Sequence, residues 1–319
     1  MHELRAMWRN TRMIVLCAIS AALYAAILVP FKVVPLIPGV TELRPANAIP
    51  VVCSFLFGPA AAWGSAIGNM IGDFFGGVSP GDTFGFIGNL AYGYLPYKVW
   101  TIVVGDGSPL LDLESVRPSE SHATVGSSLG PLAYFIASAF VGGLSARFLG
   151  MKNRLVIVLF AAFGAGTYLV LRKFVASGYF LVCLLASVLC ADLIGFGDNV
   201  LAIRPFFLLG NVVILNNMIA ALVLSPFILR AVYPRVERGR VLYKDVMPEL
   251  EPAPRSQSLA GLAMLLIGSA GAWLTGNAIS LGYLSGRLPP WMDTAQHDRA
   301  IALITGPFLL LAIAGMALL

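Results

Sequence analysis

Apolar residues in this chain come in long continuous runs and not in strict alternation, which is the pattern of membrane helices and not of a barrel. Runs are read at Met13–Pro30, Ala46–Phe57, Pro59–Phe75, Phe84–Val104, Leu129–Leu149, Leu155–Leu171, Tyr179–Ile194, Pro205–Leu229, Leu259–Leu281 and Ala300–Leu319. Most approach the ~20 residues needed to cross a hydrocarbon core of about 30 Å. The expected fold is therefore all-α: a polytopic helical membrane protein with about 8 membrane segments in its body, some short or broken, plus 2 C-terminal transmembrane helices. Ala46–Phe57 is short for a full crossing and reads as one arm of a broken pair with Pro59–Phe75, because Gly58-Pro59 interrupts the hydrogen-bond ladder.

Polar segments divide the chain. Residues 1–12 form an N-terminal tail, 13–232 a membrane body, 233–258 a linker and 259–319 a two-helix membrane appendix. The linker YPRVERGRVLYKDVMPELEPAPRSQS is charged and carries Pro234, Pro248, Pro252 and Pro254. Gly105–Ser128 is a second polar loop.

Within the apolar pattern one stretch stands out, Thr41–Trp100. It holds Arg44, Asn47, Asn69, Asp73, Asp82 and Asn89, together with the breaks Gly58-Pro59 and Gly76-Gly77. Polar groups inside a bilayer are costly and turn toward a cavity, a ligand or a partner helix. Broken helices that carry such groups are how membrane proteins build binding pockets. Taken singly, each feature has a simpler explanation. Gly64, Gly68 and Gly72 recur every four residues, as a close-packing ridge does. The pairs Gly68-Asn69, Gly88-Asn89, Gly210-Asn211 and Gly276-Asn277 read as packing contacts with amide bonds across helices. Phe74, Phe75, Phe84, Phe86, Tyr92 and Tyr94 fit core packing and an interfacial belt, or stacking on a flat heterocycle. The order of the pieces is what suggests a ligand capsule, with Arg44, Asn47, Asp73 and Asn89 expected at one outer pocket.

Composition agrees with the membrane reading: the chain is 58% hydrophobic and 12% charged over 319 residues, against about 25% charged in soluble domains. Its net charge of +5 matters through placement. Arg5, Arg9 and Arg12 precede the first run, and Arg230, Arg235, Arg238, Arg240, Lys244 and Arg255 follow the run ending near Leu229. Basic flanks mark the cytoplasmic side, so the expectation is a multi-pass protein of the plasma or inner membrane with a cytoplasmic N-terminus and no nucleic-acid partner. Cys17, Cys53, Cys183 and Cys190 lie in apolar runs without a CxxC pair, and His2, His122 and His297 are far apart. Neither a disulfide framework nor a metal site is expected, and no cofactor is implied.

The first run carries Ala18, Ala22 and Ala26 at four-residue intervals, a flat face for another helix. After it come R-x-x-N-A-I-P at Arg44–Pro50, LFGP at Leu56–Pro59, small residues leading to Gly72-Asp73, then Gly88-Asn89 and a terminal LPYKVW. This arrangement resembles the substrate-binding S components of energy-coupling factor (ECF) transporters, nearest in character to the branch associated with queuosine precursors. The resemblance covers about Met13–Lys244 and is most specific over Leu43–Trp100. It implies a non-enzymatic subunit that captures a vitamin-like or cofactor-precursor micronutrient. It also implies three partners, a transmembrane coupling protein and two cytoplasmic ATPases. By position, Ala18, Ala22 and Ala26 would dock the coupling protein. Glu42, Arg44 and Asn47 would cap the ligand, Asp82, Phe86 and Asn89 would face it, and Asn211 would bring an amide from the last helix of the body. Asp73, at the end of the glycine ridge, completes the candidate substrate-binding set. Family members commonly have six helices and about 200 residues; the appendix lies beyond that pattern.

Two other readings stay open. A stand-alone secondary carrier would use Asp73 or Asp192 for ion coupling. Gly195-Phe196-Gly197-Asp198 fits the G-x-G-D mark of intramembrane aspartyl proteases, whose chemistry needs a second carboxylate such as Asp73 or Asp192; a Gly-Asp turn between helices explains it more simply. No P-loop is present, so ATP hydrolysis would come from a partner.

Overall fold

A computed structural model describes residues 1–32, 35–37, 41–42, 44–105, 177–249, 253–284, 286–292 and 297–319. The chain forms two compact units, Met1–Ile102 with Cys183–Leu319, and Val103–Val182. The expected runs Leu129–Leu149 and Leu155–Leu171 and nearly all of the Gly105–Ser128 loop fall outside the described residues.

The first unit is helical. A short α1 (His2–Ala6) and a 3-10 turn (Met7–Arg9) lead into α2 (Thr11–Phe31). Asn10 caps α2, its side-chain oxygen accepting from Arg12 N at 3.0 Å and Met13 N at 3.3 Å, which satisfies two of the orphan donors of a helix start. A small antiparallel hairpin, β1 (Pro35–Ile37) with β2 (Thr41–Glu42), follows. Then come a 3-10 turn at Pro45–Asn47, α3 (Ala48–Phe57), α4 (Pro59–Gly76) and α5 (Asp82–Val103). From residue 177 on, the chain runs through α6 (Ser177–Val200), α7 (Phe206–Ile219), a π-turn at Ala220–Leu224 and α8 (Ser225–Arg238). A short α9 (Tyr243–Val246) and α10 (Arg255–Ser280) come next. Last are α11 (Asp298–Ala300), a second π-turn at Ile301–Thr305 and α12 (Gly306–Leu318).

Among the described residues, five helical segments are long and apolar enough to cross a membrane: Thr11–Phe31, Gly178–Val200, Phe206–Val246, Arg255–Ser280 and Asp298–Leu318. The all-helical membrane fold is as expected; the count of about eight body segments is not confirmed, because two of the expected runs fall outside the described residues. Helices α4 and α5 are 18 and 22 residues long, yet glycines and polar residues dilute their apolar character. The expected break at Gly58-Pro59 is sharp. Gly58 adopts φ 52°, ψ −119°, which only glycine takes readily, and a Cβ there would lie 2.8 Å from the Tyr243 ring. The linker is partly helical: α8 continues to Arg238, and α10 begins at Arg255. Asp198, expected in a loop, sits in the last turn of α6 because the apolar run before it carries the helix to Val200.

The glycine ridge of α4 packs on α2. A Cβ at Gly64 would lie 2.5 Å from Ser20 Cβ, and one at Gly68 would lie 2.8 Å from the Ala21 carbonyl and 3.0 Å from Tyr24. Small residues let the two backbones approach closely, the main source of helix association in lipid. This buries one face of α2 (Cys17, Ala21, Tyr24, Leu28) and leaves Ala18, Ala22 and Ala26 exposed on another.

Both basic flanks lie at one end of the unit. Asn10 Nδ2 donates to the Val246 carbonyl at 3.1 Å. At that end α1 folds onto the helices: Glu3 pairs with Lys98 and accepts from the Tyr94 hydroxyl at 3.0 Å, while Trp63 Nε1 donates to the Leu4 carbonyl at 2.9 Å.

Substituting Gly68→Val would drive a branched side chain into the α2 backbone. Overpacking of this kind costs about 1–3 kcal/mol. Thermal unfolding of purified protein should show a lower midpoint for Gly68→Val than for Val78→Ala, which changes an exposed side chain.

Candidate functional site

At the end opposite the basic flanks, the C-terminal ends of α2 and α4 meet the start of α5, the end of α6 and one face of α7. They enclose a cavity of about 170 Å³. Its wall is polar, although the helices that form it are apolar elsewhere.

The deepest part of the wall is a bonded group of amides and phenols. Asn47 lies at the end of the turn Pro45–Asn47 and is 4% exposed. Its Oδ1 accepts from the Tyr24 hydroxyl at 2.9 Å, and its Nδ2 donates to Asn217 Oδ1 at 2.6 Å. The Tyr92 hydroxyl lies 3.2 Å from both the Asn47 and the Asn217 carbonyls. Asn89 Nδ2 donates to the Gly85 carbonyl, and Asn89 Oδ1 is a second acceptor for Tyr24, at 3.2 Å. Tyr24 has one hydroxyl proton, so it satisfies one of the two amide oxygens at a time.

Charged groups ring the wider part. Lys32, at the end of α2, pairs with Asp73 at 2.8 Å, both nearly buried. Asp73 also accepts from Asn69 Nδ2 at 2.6 Å. Asp82 begins α5 and accepts from Ser79 N at 2.6 Å and Ser79 Oγ at 3.1 Å. Asp198 pairs with Arg204 at 3.2 Å. Arg44 lines the same space. Lys32, Arg44 and Arg204 thus face Asp73, Asp82 and Asp198, and the formal charges of the lining cancel. In a low-dielectric setting such pairing avoids the large cost of isolated charges.

Two buried amide atoms in this wall have no nitrogen or oxygen partner in the protein: Asn69 Oδ1 and Asn217 Nδ2. The identity of the Asn69 atom follows from its bond. The Asp73 carboxylate needs a donor, which makes the bonded atom of Asn69 its nitrogen and leaves the oxygen open. Asn47 Nδ2 donates to Asn217 Oδ1, which leaves the Asn217 nitrogen without an oxygen acceptor and with only the Cys190 thiol, a weak acceptor, beside it. Buried polar atoms are nearly always satisfied in native proteins, so an open acceptor and an open donor on one cavity suit a bound molecule that offers both.

Of the residues singled out from sequence, Arg44, Asn47, Asp73, Asp82 and Asn89 line this one cavity. Phe86 does not; its ring packs edge-on against Trp63 at 6.3 Å. Asn211 lies on the opposite face of α7, where it bonds Asn277 and Trp273. The backbone of Glu42 pairs with Pro35 in the hairpin, and its side chain lies outside the described residues. Tyr24, Lys32, Cys190, Arg204, Asn216 and Asn217 line the cavity without having been singled out as binding residues. For Asn216-Asn217 a signal existed: adjacent amides in the middle of an apolar run. For Lys32 and Arg204 there was none beyond their position at helix ends.

Among the described residues no group of His, Cys, Asp and Glu is arranged to hold a metal ion. The four cysteines are free and buried. Asp198 and Asp73 line one cavity, but each is tied to its own cation.

Breaking the Lys32–Asp73 pair from one side would strand a buried charge, which typically costs about 3–5 kcal/mol, whereas replacing both partners with apolar groups is often close to neutral. Lys32→Met should therefore lower the unfolding temperature of the purified protein more than the double change Lys32→Met with Asp73→Leu. Equal losses would show that the pair does not act as a unit.

Comparison with curated proteins and with solved structures gives no match. Residues 14–110 match the family model described as QueT transporter. That segment includes α2 through α5 and contributes Tyr24, Asn47, Asn69, Asp73 and Asn89 to the cavity. The chain is a multi-pass membrane protein, and its residues 14–110 are similar to the QueT transporter family, a family of ECF-transporter S components to which the queuosine-precursor branch fits.

Proposed function

We propose that the cavity is the substrate site of an ECF-type importer subunit and that it takes a small polar micronutrient of the queuosine-precursor type. The observation that carries this reading is the open acceptor of Asn69 and the open donor of Asn217 on one polar cavity. A neutral or zwitterionic heterocycle with a mixed donor and acceptor edge would satisfy both. The cancelled charges of the lining favour such a molecule over one with a large net charge, which would bring an uncompensated desolvation cost. Arg44, Asn47, Asp73, Asp82 and Asn89 supply further polar contacts, and Glu42 lies in the hairpin beside the entrance sequence.

The exposed alanine face of α2, with Ala18, Ala22 and Ala26, is the proposed docking surface for the coupling protein. Its opposite face is already used by the glycine ridge of α4. With the basic flanks in the cytoplasm, the cavity faces outward and captures ligand there. Transport requires differential affinity: docking must favour a state that opens inward and holds the ligand less well. The chain carries no nucleotide-binding motif, so two partner ATPases supply the energy.

A second reading, an ion-coupled stand-alone carrier, has one observation in its favour. Asp192 in α6 is fully buried, and neither carboxylate oxygen has a hydrogen-bond partner. Uptake of a radiolabelled queuosine-precursor base into proteoliposomes separates the two. The importer reading expects ATP-dependent uptake only when coupling protein and ATPases are present, and its loss in Ala22→Leu. Uptake by the chain alone, driven by a proton or sodium gradient and abolished by Asp192→Asn, would establish the carrier instead.

Binding can be tested without partners. Removing a buried hydrogen-bonding group costs about 1–3 kcal/mol, so Asn69→Leu and Asn217→Leu should each weaken equilibrium binding of the same labelled base about tenfold. Phe86→Leu, outside the cavity, should leave binding unchanged.

A further inference from the structure

The carboxy-terminal hairpin of α10 and α12 has no place in the transport reading, yet it grips the helix that forms one wall of the cavity. Helix α7 has two working faces. Leu209, Val213, Asn216 and Asn217 line the cavity. The opposite face belongs to the hairpin. There Asn211 Nδ2 donates to Asn277 Oδ1 at 2.6 Å, and Trp273 Nε1 donates to Asn211 Oδ1 at 2.9 Å. Asn277 is in turn held by its own helix, its Nδ2 donating to the Trp273 carbonyl at 2.7 Å. Two of the four Gly-Asn pairs in the chain therefore meet each other across this seam.

Packing reinforces the bonds. The fully buried Phe206 ring lies against Gly276, where a Cβ would approach it to 2.6 Å. Phe206 also packs with Ile279, Ala300 and Ile301 of the hairpin in one apolar cluster. The Phe207 amide donates to Ser280 Oγ at 3.3 Å. The same cluster reaches Phe196 and Val200 at the end of α6, next to Asp198 at the cavity rim.

The position of the π-turn gives this grip a consequence. Ala220–Leu224 follows Asn216 and Asn217 directly. On its far side α8 is tied to α3, with Ser225 Oγ donating to the Ala48 carbonyl at 3.1 Å. A π-turn is a local irregularity where a helix bends and slips more easily. The cavity amides thus sit at a joint between a hairpin-held half and an α3-held half of one long helix.

We propose that the carboxy-terminal hairpin is a strut that sets cavity access. By holding α7 through Gly276 against Phe206 and through the Asn211, Asn277 and Trp273 bonds, it keeps Asn216 and Asn217 closed against the cavity. Loosening the seam lets α7 swing about the π-turn and opens the site. Gly276, Asn277 and Trp273 are positioning residues that touch no ligand themselves.

Cys190, in the cavity lining and 1% exposed, provides a reporter that needs neither ligand nor partner proteins. The experiment uses the full chain with Cys17, Cys53 and Cys183 replaced by alanine. The rate of Cys190 modification by a small methanethiosulfonate reagent is followed by mass spectrometry, alongside the unfolding temperature. Gly276→Leu should raise the rate about tenfold or more, and the mild change Trp273→Phe about threefold. Adding Phe206→Ala to Gly276→Leu, which makes room for the larger side chain, should return the rate toward the parent value. Leu310→Ala on the exposed side of α12 should leave it unchanged. Rates unchanged in both Gly276→Leu and Trp273→Phe would overturn the strut, as would rates that follow unfolding temperature across all variants with no recovery in the Phe206→Ala combination. Because no uptake or substrate enters the measurement, its failure would leave the importer reading untouched.

Discussion

The structure depends on one constraint: a polar group surrounded by apolar helices must be satisfied by another polar group close by. Asn47 is where the constraint is concentrated. Its amide joins Tyr24 of α2 to Asn217 of α7, and Tyr92 of α5 reaches the carbonyls of both asparagines. Three helices far apart in sequence are thereby fixed around one point. Hydrophobic burial contributes little to helix association in lipid, because lipid tails are as apolar as leucine. What remains is close packing and polar bonding, and this chain uses both: glycines bring α4 onto α2, and amides close the group at the cavity.

The same constraint explains the cavity. Every carboxylate in its lining has a donor or a cation beside it, yet the amide set does not close on itself. Tyr24 supplies one proton to two acceptors, Asn69 keeps an oxygen open and Asn217 keeps a nitrogen open. A fully satisfied network would be a rigid core. An incomplete one beside an open volume is, on the proposed reading, a recognition surface, and the missing bonds describe the chemistry its ligand would supply. Affinity must also be reversible for transport, and a wall helix jointed at a π-turn beside its two amides offers a physical route.

Much of the site was legible in the sequence because cost makes polar residues informative within apolar runs. Arg44, Asn47, Asp73, Asp82 and Asn89 stood out for that reason, and they line one cavity. The glycine ridge was legible from its four-residue spacing. What could not be read was which face of a helix looks where. Asn211 and Asn217 lie on one apolar helix, and only their positions around its axis separate the seam from the cavity. Phe86 faces Trp63 for the same reason. Lys32 and Arg204 looked like ordinary helix-end cations, since their carboxylate partners are 41 and 6 residues away. Asp198 was read as a turn residue because Gly195 and Gly197 precede it, but a glycine held inside an apolar helix does not end it.

The central claim is that the unsatisfied amides of one cavity are completed by a small polar ligand. A structure of the full chain purified with its bound small molecule tests this most directly. The account predicts density for a compact polar molecule within hydrogen-bond distance of Asn69 Oδ1 and Asn217 Nδ2, between α2, α5 and α7. A ligand seated elsewhere, such as the groove beside Met1, Lys98 and Leu319 at the opposite end, with the two amides still open, would contradict it.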